Sequence, residues 1–247
     1  MKLLDLTLPS PAENLACDEA LLDVCETGSG EEVLRFWESP EYFVVVGYAN
    51  RAGTEVNLAV CETKGIPVYR RCSGGGTVLQ GSGCLNYTLA LKIAEAGPFH
   101  TITSANRFIM DRNRAAIESL FPDSALRTSH PALFVRGHTD LCLGNLKFSG
   151  NSQRRRKHSL LFHGTFLLNF DLALVGEVLR TPSKQPDYRD NRAHSEFVTN
   201  LRLPAKRVKT ALKKAWNADS PLENPPLEKT GVLAREKYSV HEWNFRF

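Results

Sequence analysis

Nowhere in the 247-residue chain do apolar residues run unbroken for the roughly eighteen positions that a membrane-crossing helix needs. Met1-Lys2-Leu3-Leu4-Asp5 leads on to acidic Asp18-Glu19 without a long apolar region or a small-residue cleavage site, so neither a membrane span nor a secretion signal is expected. Cysteines spaced C-x-x-C are also missing. The six thiols at 17, 25, 61, 72, 84 and 142 give no metal site by spacing and read as free thiols in a reducing cytoplasm. Thirty-one Lys plus Arg face twenty-seven Asp plus Glu, a net +4. That excess tolerates an anionic ligand but makes no nucleic-acid tail. G-x-x-x-x-G-K-[ST], G-x-G-x-x-G and G-x-S-x-G do not occur, so P-loop, Rossmann and serine-hydrolase readings have no support. No repeat of fixed period is present.

What remains is an ordinary globular composition, 42% hydrophobic and 23% charged, long enough to bury a substantial core. Asn14 is a candidate cap for a helix from Leu15 to about Cys25. Val33 to Trp37 and Tyr42 to Tyr48 read as strands, Glu55 to Lys64 as a helix closed by Gly65, and Pro67 to Arg71 and Leu85 to Ile93 as further strands. Ser104 to about Leu120 carries helical spacing that Phe121-Pro122 ends. Asp140 to Leu143, Leu146 to Ser149 and Leu160 to Leu168 read as strands, with helices near Asp171 to Leu179 and Lys206 to Trp216. Helices and strands mixed along the whole length imply an α/β (α+β) fold, with mixed β-sheets flanked by helices. Residues 1–216 are expected to form one catalytic domain. Residues 217–247 are expected to be a Pro-rich exposed linker and a short C-terminal segment, without a full accessory domain.

Three segments could carry chemistry. Arg70-Arg71-Cys72-Ser73-Gly74-Gly75-Gly76-Thr77-Val78-Leu79 places two guanidinium groups before three glycines. Amides of such a run can cradle phosphate or carboxylate, although a tight turn between strands spells the same way. Gly144-Asn145 predicts a hairpin in which Cys142 faces Lys147. Asp140, Cys142, Lys147 and Ser149 then share one face, and Leu141, Leu143, Leu146 and Phe148 the other. Lys147 there is either a surface lysine or a functional one. Arg154-Arg155-Arg156-Lys157 is a solvated loop or a docking surface for an acidic partner. His163 reads as a satisfied strand histidine rather than a metal ligand.

Arg70-Arg71-x-Ser73-Gly74-Gly75-Gly76-x-Val78, Lys147-x-Ser149-Gly150-x-x-Gln153-Arg154 and His163-Gly164-Thr165-x-Leu167-Leu168 occur in that order. With Asn14-Leu15-Ala16-x-Asp18-Glu19-Ala20, Leu34-Arg35-Phe36 and Lys237-Tyr238-Ser239-x-x-x-Trp243-Asn244, the chain resembles the lipoate-protein ligase A family over nearly its whole length. The resemblance implies the catalytic-domain fold shared with biotin ligases. It implies activation of lipoate or octanoate with ATP and Mg²⁺ to an acyl-adenylate. Transfer would follow to a lysine of a lipoyl-domain or glycine cleavage H-like acceptor, with a separate accessory subunit for some short members. Carried over by position, Arg71, Gly75, Gly76, Thr77, Val78 and Leu79 hold the nucleotide and adenylate. Lys147 contacts the acyl carbonyl and α-phosphate, and Asp140, Ser149 and Gly150 lie against the same ligand. An ammonium and amide donors so placed favour a pentavalent phosphate over the ground state. Gln80-Gly81 and Cys84 depart from the His-Asp and Asn frequent in the family. The alternative within the superfamily is an ATP-independent octanoyl or lipoyl transferase with a cysteine thioester, for which Cys142 is the thiol beside Lys147.

Overall fold

A computed structural model describes residues 1–28, 30–121 and 132–247. An eight-stranded sheet runs in the order β11-β1-β2-β6-β10-β9-β8-β7, and a three-stranded sheet in the order β4-β3-β5. Their strands are β1 (Lys2–Asp5), β2 (Val33–Trp37), β3 (Phe43–Val46), β4 (Val68–Arg70), β5 (Val78–Gln80), β6 (Cys84–Lys92), β7 (Leu133–Arg136), β8 (Asp140–Leu143), β9 (Leu146–Arg155), β10 (Ser159–Leu167) and β11 (Ser220–Pro221).

Side-chain alternation divides the large sheet into two faces. Leu85, Tyr87, Leu89 and Leu91 of β6 and Phe162 and Phe166 of β10 join the main core. Helix α4 (Ile102–Glu118) and the helix Ala205–Trp216 contribute Ala105, Ile109, Val208 and Leu212 to it. On the opposite face, Arg35, Thr88, His163 and Ser152 form one lateral row, and Asn86, Thr165, Gly150 and Asp140 the next. A polar stripe across a buried sheet requires partners, and helix α1 (Pro11–Glu26) and the glycine loop supply them.

Several boundaries differ from the sequence reading. Helix α1 begins at Pro11 because Ser10 and Glu13 form a reciprocal capping box, a stronger cap than the Asn14 proposed from sequence. Asn14 is instead buried in the helix, where its Oδ1 accepts from Arg35 Nη2 at 2.7 Å. The helix expected over Glu55 to Lys64 is divided into α2 (Ala52–Glu55) and α3 (Leu58–Lys64), since Val56 bridges to Leu179. Gly65 closes α3 at φ 65°. Helix α4 starts at Ile102 on a Thr101 cap, while Pro122 lies outside the described residues. Strand β9 continues to Arg155, where the sequence suggested an end at Ser149.

The stretch read as an exposed linker pairs Lys2 with Ser220 and Leu3 with Pro221, and buries Ala218. Beyond it, Tyr238 and Lys237 bond to Glu19 of α1 at 2.7 and 2.6 Å. Asn244 and Trp243 bond to Arg70. The last thirty or so residues thus underpin the strand that leads into the glycine loop.

Candidate functional site

Strand β4 delivers two arginines that do different work. Arg70 is fully buried and donates to the carbonyls of Gly47, Tyr48, Asn50, Trp243 and Asn244. Arg71 curls under the glycines. Its Nη2 donates to Gly74 O at 2.6 Å and Gly76 O at 2.7 Å, and its Nε to Ser73 Oγ at 3.0 Å. Burial lowers its pKa to about 10, which still leaves it charged at neutral pH. Drawing those carbonyls inward orients the loop. Among the described residues no acceptor meets the backbone N–H groups of Gly74, Gly75 and Gly76, and all three glycines are exposed. Gly75 sits at φ 84°, where a side chain would be strained. The loop therefore has the free amides of an anion cradle, with a buried cation beneath it.

The facing wall is the β8–β9 hairpin. Cys142 pairs with Lys147 and Leu143 with Leu146, as the Gly144-Asn145 turn predicted. A bulge then intervenes: Leu141 pairs with Ser149, leaving Phe148 as the extra residue. Adjacent residues on β8 point to opposite faces, so Ser149 joins core residue Leu141 rather than Lys147. Ser149 is 1% exposed, and its Oγ accepts from Asn151 Nδ2 at 3.4 Å. The expectation that Ser149 shares the face of Lys147 is thus corrected. Asp140 and Gly150 remain on that face. Lys147 Nζ reaches Asp140 Oδ1 at 2.8 Å and passes so close over Gly150 that an added Cβ would lie 2.7 Å from it. Tyr188, from a short 3-10 turn (Asp187–Arg189), donates to Asp140 Oδ2 at 2.7 Å. Nothing near Tyr188 in the sequence marks this role, because the turn meets the hairpin only through the tertiary fold.

Ser152 joins the two walls. It lies two residues beyond Gly150, about 7 Å along the strand, and its Oγ donates to Gly74 O at 2.9 Å. Thr77 is half-buried, and its Oγ1 accepts from Asn50 Nδ2 at 3.4 Å. Val78 and Leu79 begin β5, with the Leu79 side chain in a separate core. The Val78 side chain is half-buried beside another core cluster. Gln80 Nε2 donates to Thr165 Oγ1, which donates to Asn86 Oδ1, at 2.9 and 2.6 Å. Gln80 Oε1 and Asn86 Nδ2 are buried and have no partner within the described chain.

Cys142 is fully buried, and burial pushes its thiol above the ordinary value. Its Sγ lies 3.5 Å from Tyr188 Oη. All six cysteines are free and buried. The basic run is largely engaged within the chain: Arg155 donates to the Phe99 and His100 carbonyls, and Arg156 pairs with Asp23. His194, lining an open cavity of about 520 Å³ with Arg180, Thr181 and Ser195, has a pKa lowered to about 4 by burial, Arg189 and Lys147. Among the described residues no cluster of three His, Cys, Asp or Glu could hold a metal, and no helix is long and apolar enough to cross a membrane.

The buried polar stripe ends at this loop. Arg35 Nη1 meets Asp18 Oδ1 at 2.6 Å, and Asp18 Oδ2 lies 3.1 Å from His163 Nδ1. His163 Nε2 is 2.6 Å from Ser73 Oγ, the same oxygen that accepts from Arg71. Burial opposes ionisation of Asp18, but Arg35 and the His163 contact outweigh it and hold its carboxyl below the usual value. His163 therefore has partners at both ring nitrogens, in agreement with its sequence reading.

The chain is 29% identical to the Thermoplasma acidophilum lipoate-protein ligase A subunit 1, an alignment covering 94% of this chain and 90% of that one. It is 26% identical to the Geobacillus kaustophilus octanoyltransferase LipM, covering 96% and 94%. Among solved structures, a bi-partite Thermoplasma acidophilum lipoate protein ligase described with its E2 lipoyl domain superposes with a TM-score of 0.78 and 25% identity, over 99% of this chain and 95% of that one. A lipoate-protein ligase A bound with ATP gives a TM-score of 0.75 and 26% identity, over 99% and 98%. The profile of the Lipoyl protein ligase A/B catalytic domain matches residues 10–215, and the chain belongs to that family.

Proposed function

We propose that this chain is an ATP-dependent lipoate-protein ligase. It would activate lipoate or octanoate to the acyl-adenylate and pass the acyl group to a lysine of a lipoyl-domain or glycine cleavage H-like protein. The observation that carries this reading is a partly exposed lysine ammonium over Gly150 on β9, on the strand whose Ser152 bonds Gly74 of a loop with three exposed amides that lack acceptors. In the first half-reaction the fatty carboxylate attacks the α-phosphate of Mg²⁺·ATP, and pyrophosphate leaves. Lys147 lies where it can meet negative charge growing on the α-phosphate, while the amides of Gly74 to Gly76 receive phosphate oxygens. Asp140 holds Lys147, and Tyr188 holds Asp140, so the ammonium is positioned before substrate arrives. Both oxygens of Asp140 are thereby engaged, which favours a positioning role over direct magnesium ligation. In the second half-reaction the acceptor amine attacks the acyl carbonyl, and AMP leaves.

The thioester alternative needs a thiolate, and Cys142 is a buried thiol with a raised pKa. That supports adenylation over cysteine transfer. The bi-partite Thermoplasma ligase supports a lipoyl-domain acceptor and an accessory subunit for this chain as well. Mass spectrometry of a lipoyl domain tests the reading, with the chain supplied with lipoate and Mg²⁺·ATP or with octanoyl-carrier protein alone. A mass increase that requires ATP is expected. Transfer from the carrier without ATP would overturn the ligase and make Cys142 the first residue to replace.

A further inference from the structure

We propose that Asp18, His163 and Ser73 are positioning residues, forming a one-way hydrogen-bond relay that fixes Arg71 and through it the anion-binding face of the glycine loop. The direction of the relay follows from its ends. A guanidinium can only donate, so Ser73 Oγ accepts from Arg71 Nε at 3.0 Å. The single hydroxyl hydrogen of Ser73 then goes to His163 Nε2, at 2.6 Å. Nε2 must be bare, so Nδ1 carries the ring proton and donates to Asp18 Oδ2 at 3.1 Å. Asp18 closes the series with Oδ1 on Arg35. Reversing the ring would set a bare Nδ1 against a carboxylate and leave the Ser73 hydrogen without an acceptor.

The arrangement has an electrostatic consequence. Arg71 could have been held by a carboxylate, but a carboxylate there would cancel its charge. Ser73 is neutral, and the only acid in the series is already matched by Arg35. Among the described residues, no Asp or Glu pairs with Arg71. A buried cation thus stays without a carboxylate partner beneath Gly74 to Gly76, while its hydrogen bonds draw the Gly74 and Gly76 carbonyls inward. All three members are buried, so the relay acts through Arg71 and not on substrate.

What the anion is rests on the ligase reading; the relay itself does not. The test is nitrogen-15 NMR of the full chain, with Arg71→Lys used to assign the Arg71 Nε–H signal. The variants are Ser73→Ala, His163→Leu and the double variant, each also titrated with inorganic pyrophosphate. In the unaltered protein His163 is expected as the Nδ1–H tautomer, with slow exchange at Arg71 Nε–H. Each single variant should speed that exchange about tenfold, shift the Gly74 to Gly76 amides and weaken pyrophosphate binding about five- to tenfold. The double variant should be no worse than the more affected single one, because one series broken twice is still one series. Losses that multiply, or Arg71 and glycine signals unmoved by His163→Leu, overturn the relay. If a variant fails to fold, the tautomer in the unaltered protein decides, and an Nε2–H ring overturns it. Acyl-adenylate formation is measured in parallel. Its absence in the unaltered protein supplied with its accessory subunit, with the NMR outcome as expected, would remove the ligase reading and leave the relay standing.

Discussion

Two cations lie near the glycine loop and the β8–β9 hairpin, and they are held in opposite ways. Lys147 is one-quarter exposed, paired with the carboxylate of Asp140 and carried on a bulged hairpin. Arg71 is almost fully buried, bonded only to neutral oxygens and tied to the loop that follows it. An ammonium on a four-carbon stem can leave one anion for another, whereas a guanidinium with several fixed acceptors cannot move without taking the loop along. The pairing separates two tasks, meeting the charge that changes during reaction and shaping the surface that receives it.

Replacing each cation should therefore fail differently. Lys147→Ala should have the largest effect, lowering adenylate formation about 10²- to 10³-fold while moving the melting temperature by no more than about 2 °C. Pyrophosphate exchange and calorimetry on the same sample check both halves. Arg71→Met should do the reverse in kind, costing about 1–3 kcal/mol of stability as the Gly74 and Gly76 carbonyls lose their donor. Urea unfolding measures it, and an unchanged midpoint would mean that the loop keeps its shape unaided. Asp140→Asn keeps the shape near Lys147 but removes the charge, so adenylation should fall about tenfold with the ATP KM little changed.

The smallest effect concerns the neighbour of Lys147. Folded His194 stays neutral down to about 4, against 6.5 for the free ring. The unfolded chain therefore takes up its proton first, and stability should decline as pH drops through that window and level off below it. Comparing urea midpoints at about pH 5 and about pH 7 for the natural chain and His194→Gln should show a flatter dependence in the variant.

The contrast between the walls also marks what could be read from the sequence. The glycine run, the Gly144-Asn145 turn and the Cys142–Lys147 pairing were legible because short spacing dictates them. The side of the sheet on which Ser149 falls was not. One extra residue at Phe148 reverses the alternation beyond it, and no local pattern announced that bulge. Tyr188 and Asp18 were hidden for another reason, since their partners lie 48 and 145 residues away. Arg71 illustrates a subtler limit. The residue type promised a ligand contact, but the fold directs its donors at the chain's own carbonyls, so its influence on a ligand passes through backbone geometry.

The C-terminal packing onto Arg70 has a consequence in time. Arg70 and Asn244 are separated by 174 residues, which at about 5–20 residues per second corresponds to roughly 9–35 seconds of synthesis. Until then the strand that leads into the glycine loop lacks its brace, whatever the rest of the sheet has achieved. A ribosome-held chain stopped before Trp243 should already contain the large sheet yet present a glycine loop open to protease. Competence would then arrive only once Trp243 and Asn244 have joined Arg70.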